Sequence, residues 1–262
     1  MFRHLRLIWL FARLGIQNNA AYRFDFFMRL VVSFVQMAGE LVGLWIIFSN
    51  TRSLAGWNAY QVLVLLGVFR FMTGVIGLVI APNMRLIMED VRNGTLDFVL
   101  TKPVNSQFYA SFRQIVIWRL IDLALGVGLA TFGGLHLAAQ MSVGRVLLFL
   151  LMLGLGATVI YSFWLILATA AFWFTRIDNM EMVFWNVFEA GRYPVDIYRP
   201  WVRWALTYLV PLAFLITFPA GALAGKTGAG ALLAAMLVAP VTLLGASLFW
   251  RYGLRHYSGA SA

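Results

Sequence analysis

The sequence predicts an all-α integral membrane protein with six transmembrane helices, and three observations carry that prediction. Hydrophobic residues make up 62% of the chain and charged residues only 11%, against about 45–50% and roughly 25% in an ordinary soluble domain. The apolar residues fall in runs that reach the roughly 20 positions a helix needs to cross a bilayer. Lys and Arg gather in alternate connections between those runs.

The first 29 residues, "MFRHLRLIWLFARLGIQNNAAYRFDFFMR", come before any long apolar run. Leu5, Ile8, Trp9, Ala12 and Ile16 recur at helical spacing while Arg3, Arg6 and Arg13 turn away. That pattern predicts a helix lying in the membrane interface. Arg13, Arg23, Asp25 and Arg29 interrupt the stretch, so it does not read as a cleavable signal.

Five spans follow at 30–49, 59–81, 114–139, 145–174 and 229–250, with short turns closing the first two and the next two as hairpins. With the N-terminus inside, Arg3, Arg6, Arg13, Arg23, Arg29, Arg85, Arg92, Lys102, Arg113, Arg251 and Arg255 face the cytoplasm, and Arg52, Arg145 and Lys226 lie outside. Eleven bases against three is a positive-inside bias that puts both termini in the cytoplasm.

Residues 175–228 allow two readings. In one, 175–204 is a cytoplasmic loop and 205–224 is the fifth span. In the other, 177–192 is a short fifth span, and 193–227 dips into the outer leaflet and returns. Hydropathy and Arg192, Arg199 and Arg203 favour the first; the second has a Pro-rich beginning and an apolar segment broken by Pro211 and Pro219, with irregular backbone at membrane depth. Both readings keep the termini on one side.

The net charge of +10 points to anionic lipid rather than nucleic acid, because no soluble basic cluster carries interleaved aromatics. With no cysteine there is neither disulfide nor thiol chemistry. His4, His136 and His256 are scattered at membrane edges, so no metal site and no catalytic constellation is expected. Gly225-Lys226-Thr227 resembles the end of a phosphate-binding loop, but Ala220 stands where that loop needs its first Gly. No ATP site is expected in this chain, and it is not expected to be an enzyme.

Charges inside the spans are informative. Glu40 and Arg70 fall at similar depth on the two arms of the first hairpin, so an ion pair between them is expected. Arg119 and Asp122, three residues apart, can pair along one helix face near the cytoplasmic end, where snorkelling would serve them. Gly39–Gly43 and Gly221–Gly225 have the spacing of close helix contacts.

The connection at 82–113 is far longer than the 2–8 residues that typically join helices. Leu86, Ile87, Val91, Leu96, Phe98, Val99 and Leu100 alternate with Arg85, Glu89, Asp90, Arg92 and Asp97. This predicts two short amphipathic helices, broken at Asn93-Gly94 and stopped at Lys102-Pro103. Such a segment suits a cytoplasmic partner.

Here "EDVRNGTLDFVLTKPV" resembles the cytoplasmic element of type-2 ABC exporter permeases, an acidic residue followed by Gly-Thr-Leu, Leu and Pro-Val. Glu89, Gly94, Thr95, Leu96, Leu100, Pro103 and Val104 match it. "YPVDIYRPWVRWALTYLVPLAF", with Pro194, Pro200, Trp201 and Pro211, is similar to the family's segment before the last span. The subgroup most alike has six spans and a length close to the 262 residues here. The resemblance implies a single permease domain, 1–262, in a bacterial cytoplasmic membrane. It implies export, with a cytoplasmic ABC ATPase that binds the ATP and a second permease, identical or related, completing the path. It further implies that 86–101 is a coupling helix, that Arg92, Gly94, Leu96, Asp97, Phe98 and Leu100 form the ATPase contact, and that 193–227 is re-entrant at the outer face. An ion-driven secondary transporter, or another multi-span membrane protein without an ATPase partner, is the alternative; the inverted repeats common in secondary transporters are missing.

Overall fold

The computed structural model describes residues 6–7, 9–13, 15, 23–137, 142–174 and 178–257, and among them the protein is helical apart from turns and one isolated bridge, Leu54 to Trp57. Arg3, Leu5, His4, Ile8 and Ile16 lie outside the described residues, as does the side chain of Arg23.

Described residues 6–7, 9–13 and 15 are helical, and they pack on the chain that leads into the third span. Phe11 meets Tyr109 edge-on at 5.7 Å between ring centroids, and a Cβ on Gly15 would sit 2.5 Å from the Ile115 carbonyl. Helix α1 (Arg23–Asn50) starts earlier than the hydropathy predicts, and most of its apolar surface faces outward.

Helix α2 (Ala59–Val75) opens on a reciprocal cap: Asn58 accepts from the Gln61 N–H, and Gln61 accepts from the Asn58 N–H. The second span does not end in a break at residue 81. The helix runs on through a π-helical turn, Ile76–Ile80, into α3 (Ala81–Asn93), so 35 residues form one continuous rod. Pro82 does not break the rod, because it follows the π-turn at the start of α3, where a missing N–H costs least.

Gly94 ends α3 at φ 69°, the left-handed conformation that suits glycine. The Thr95 N–H closes the cap on the Asp90 carbonyl at 2.9 Å, and the Thr95 hydroxyl bonds the Asp90 carboxylate at 2.8 Å. Then come α4 (Asp97–Leu100), a turn through Lys102-Pro103, and α5 (Ser106–Phe112), capped by Asn105. The third span begins at the Ile117–Arg119 turn and continues as α6 (Leu120–His136); residues 114–116 are not helical, and bond Asn83 of α3 and the Leu78 carbonyl of the π-turn instead. Helix α7 (Val143–Ala170) completes the second hairpin.

The core pairs α2 with α6. Gly67 and Gly126 bring the two backbones together: a Cβ on Gly67 would collide with Ala130, and one on Gly126 with Phe71. Small residues at such contacts replace the hydrophobic drive that lipid does not supply. Gly39 and Gly43, by contrast, face open space, and Gly225 (φ 72°) caps a helix instead of packing one.

Past α7, helix α8 (Asp178–Phe188) and the turn Glu189–Arg192 cross from one end of the molecule to the other. Glu181 pairs with Arg85 beside α3, whereas Asp196 accepts from Trp57 Nε1 at 3.2 Å in the turn between α1 and α2. The apolar run at 205–224 is not a straight span. Helix α9 (Pro200–Trp204) with the π-turn Ala205–Leu209 meets the segment Ala213–Ala224 at 80°. That segment is a π-turn, Ala213–Thr217, followed by α10 (Phe218–Ala224), packed on α2 and α7. Pro194 and Pro211 are buried at the two bends, Pro200 opens α9, and Trp201 projects outward with Trp204, Tyr208 and Leu209. An exposed aromatic row of this kind suits the membrane–water boundary. Irregular backbone at membrane depth is tolerable here because neighbouring helices cover it. Helix α11 (Ala229–His256) returns along α7 to the end that carries α3–α5.

In sealed vesicles, cysteines introduced as Arg52→Cys and Arg203→Cys should react with an impermeant maleimide from one side, and Thr101→Cys from the other. Labelling of positions 101 and 203 from the same side would contradict this path.

Candidate functional site

Two regions hold the chain's polar chemistry. One is a line of charges within the spans. Arg70 grips Glu40 with both arms of its guanidinium, Nε and Nη2 each donating at 2.8 Å. Arg70 Nη1 also lies 3.6 Å from Asp122, which accepts from Arg119 at 2.9 Å. On the other side, Arg192 Nε is 3.5 Å from Glu40, and Arg192 Nη2 is 2.5 Å from Glu189. Three acids and three bases therefore alternate, Glu189–Arg192–Glu40–Arg70–Asp122–Arg119, with no net charge.

Burial is deepest at the middle of this line. The side chains of Arg70, Glu40 and Asp122 are 4%, 6% and 2% exposed. A single charge at the bilayer centre costs about 2.5–3.5 kcal/mol or more, so each central member needs its neighbours. The fork geometry of Arg70 is the strong form of ion pairing.

The expected Glu40–Arg70 pair is present, and so is Arg119–Asp122. Snorkelling, however, does not describe Asp122. It turns inward to Arg70, because Arg119 stands over Gly77 on the same side and stacks on Trp118 at 4.0 Å. Arg192, which by charge bias suited a cytoplasmic loop, instead reaches back to Glu40 and lies over Phe69 at 5.6 Å. Its distance from Glu40 in sequence hid that contact. Beside it, Gln36, Gly39, Glu40, Arg192 and Tyr193 line a cleft of about 230 Å³ between α1 and α2.

The second region is the segment α3–α5. Phe98 is 72% exposed, and Arg92 and Lys102 are also exposed on this surface. Leu96, expected at a partner contact, is fully buried and holds α4 onto the chain's own core; Val99 does the same, while Asp97 and Leu100 are half-buried. Arg113 ties back to Asp90 at 2.5 Å. Gln107 donates to Tyr161 at 3.2 Å and to Ser247 at 3.0 Å, and Ser111 bonds the Tyr161 hydroxyl at 2.8 Å, which links α5 to α7 and α11. Tyr257, just past α11, abuts Leu96 and Asp97; burial first, and the Asp97 charge second, raise its pKa above the usual tyrosine value.

At the opposite end, Gly225-Lys226-Thr227 is a helix terminus and not a phosphate loop. The N–H groups of Lys226 and Thr227 bond the Gly221 carbonyl, and Lys226 Nζ reaches the Gly56 carbonyl at 2.6 Å. His136 stacks on Tyr60, and His256 bonds the Tyr252 carbonyl, each within a packing role.

Glu40→Gln and Arg70→Gln should each lose about 3 kcal/mol of unfolding free energy in mixed micelles, as expected for breaking a buried pair. The double variant should lose much less than the sum. Additive losses would show that the two side chains act independently.

No curated protein matches the chain. The family model for ABC-2 family transporter proteins matches residues 34–261. That match takes in the charge line, α3–α5 and the bent segment alike, and the chain belongs to the ABC-2 transporter family as the membrane-spanning permease of an ABC transporter.

Proposed function

We propose that this chain is the permease subunit of an ATP-driven exporter, and that α3–α5 is where a separate ATPase docks and pushes. The observation that carries the reading is the shape of that segment. It is a compact helical unit, fixed from behind by Leu96 and Val99, and presenting Phe98 with Arg92 nearby. A groove in the ATPase would receive Phe98 as its apolar anchor, with Arg92 and Asp97 supplying charged contacts and Gly94 setting the angle between the two helices. Leu96 and Leu100 would keep the unit stiff. ATP binding and hydrolysis belong to the partner; this chain supplies the path and the lever.

The bases near this segment, Arg85, Arg92, Lys102, Arg113, Arg251 and Arg255, support a cytoplasmic position for it and for both termini. A bacterial cytoplasmic membrane is the setting the family reading implies. Helix α1 supports a second permease, identical or related: its outer face is apolar, and the charged cleft beside Glu40 and Arg192 opens next to it. The path would run between the two copies, with 193–227 re-entrant at its outer mouth. An ion-driven mechanism would need a carboxylate free to exchange protons or cations, whereas Glu40 is engaged by both arms of Arg70.

Co-expression with an ABC ATPase taken from the same operon, where one is found, tests the reading. The complex should purify intact and hydrolyse ATP, and Phe98→Asp should reduce recovery of the ATPase by about tenfold, the equivalent of roughly 1.4 kcal/mol. Gly94→Val, which forces a branched residue into left-handed backbone, should weaken assembly too. Full recovery of the ATPase with both variants would sink the docking surface.

A further inference from the structure

Resting on the reading of α3–α5 as the coupling element, we propose that Asn83 is the positioning residue through which movement of that element reaches the second and third spans together. Asn83 is an amide with no exposed surface, set one turn past the π-helical turn Ile76–Ile80. Its Nδ2 donates to the Val79 carbonyl at 2.6 Å and to the Gln114 carbonyl at 2.7 Å, while its Oδ1 accepts from the Gln114 N–H at 2.9 Å. A fourth bond runs from the Val116 N–H to the Leu78 carbonyl at 2.9 Å.

The π-turn explains why these bonds fit. An i→i+5 turn puts one extra residue into the helix and shifts its carbonyls out of their usual register. The Leu78 carbonyl, whose i+4 residue Pro82 has no N–H, is left for Val116 in the chain that descends into the third span, while the Val79 carbonyl accepts from Asn83 itself. Extended residues 114–116 carry backbone groups that no helix satisfies, and Asn83 supplies both a donor and an acceptor to Gln114. Leaving such groups unpaired in an apolar setting is costly.

The mechanical consequence concerns the root of the loop. Residues 84–113 hang between Asn83 and Gln114, so these bonds clamp the loop shut where it joins the spans. A push on α4 cannot be absorbed by opening of the root; it turns α2 and α6 as one body. Just beyond the clamp, Arg119 lies against Gly77 of the π-turn and pairs with Asp122, which leads to Arg70 and Glu40. The clamp therefore joins the cytoplasmic segment to the charge line by contiguous contacts.

The test uses the full chain and Asn83→Leu, a substitution of similar size without hydrogen bonds, each in phospholipid nanodiscs with and without its ATPase. Without the ATPase, amide exchange at 114–119 should rise by about tenfold while α7 is unchanged. With the ATPase, hydrolysis should stay within about twofold of wild type. The change in exchange that ATP and vanadate cause at the distant 51–58 turn should fall by about three- to tenfold. A purely structural role would instead lower assembly, hydrolysis and the distant response together, and that result overturns the inference. So does a full-sized distant response after 114–119 has loosened. If Asn83→Leu fails to fold, Asn83→Ser, where a water can bridge part of the gap, must show the same split to uphold it. A wild-type chain that carries no ATPase would remove the coupling reading itself, and the inference falls with it.

Discussion

The grip of Arg70 on Glu40 is the interaction on which the membrane part of this protein depends. Two apolar helices in lipid gain little from burying greasy surface, since the tails around them are equally apolar. Helix α1 shows the result: it lies against α2 and α6 with few contacts and leaves most of its side chains outward. What ties it down is a charge that has nowhere else to go. Once Glu40 is buried between the helices, Arg70 must meet it, and Arg70 also faces Asp122, whose close partner is Arg119. Arg192 and Arg119 then close the line at each end. Five elements of the chain are positioned by one neutral row.

A second constraint sits beside it. Gly67 and Gly126 let the α2 and α6 backbones meet closely, and Gly77 makes room for the Arg119 stem. The pair therefore behaves as a slab, and the charge line lies along one side of it. Small residues set the distance and charged residues set the partners; neither could do both.

Much of this was legible in the sequence, for reasons that are physical. Hydropathy exposes spans because lipid demands it, and the depth of Glu40 and Arg70 follows from counting residues along a hairpin. The Gly94 break is visible because only a few residues tolerate left-handed backbone. Less visible was anything that depends on chain path after residue 174. Charge bias argued for a cytoplasmic loop around Arg192, yet a guanidinium that can pair with Glu40 has no need of the cytoplasm. Leu96 looked like a surface anchor because the amphipathic pattern does not say which apolar residues face the chain's own core. Asn83 gave only a weak signal, a lone amide after Pro82 in an apolar run, and its partner lies 31 positions away.

The two polar features differ in kind, and the difference bears on how force would travel. Asn83 makes directional bonds to backbone at fixed distances, so it resists sliding and rotation alike. The line from Glu189 to Arg119 is made of side chains with alternative partners: Arg192 sits between two carboxylates, and Asp122 between two guanidiniums. Such a line can redistribute its pairs at its edges, because the members at its two ends, Glu189 and Arg119, are 49% and 27% exposed and reach solvent. A stiff joint at the membrane surface and an exchangeable row at its centre are complementary. The joint would pass on a displacement whole, and the row would let the 189–192 turn shift between Glu189 and Glu40 while Arg70 keeps α1 on α2.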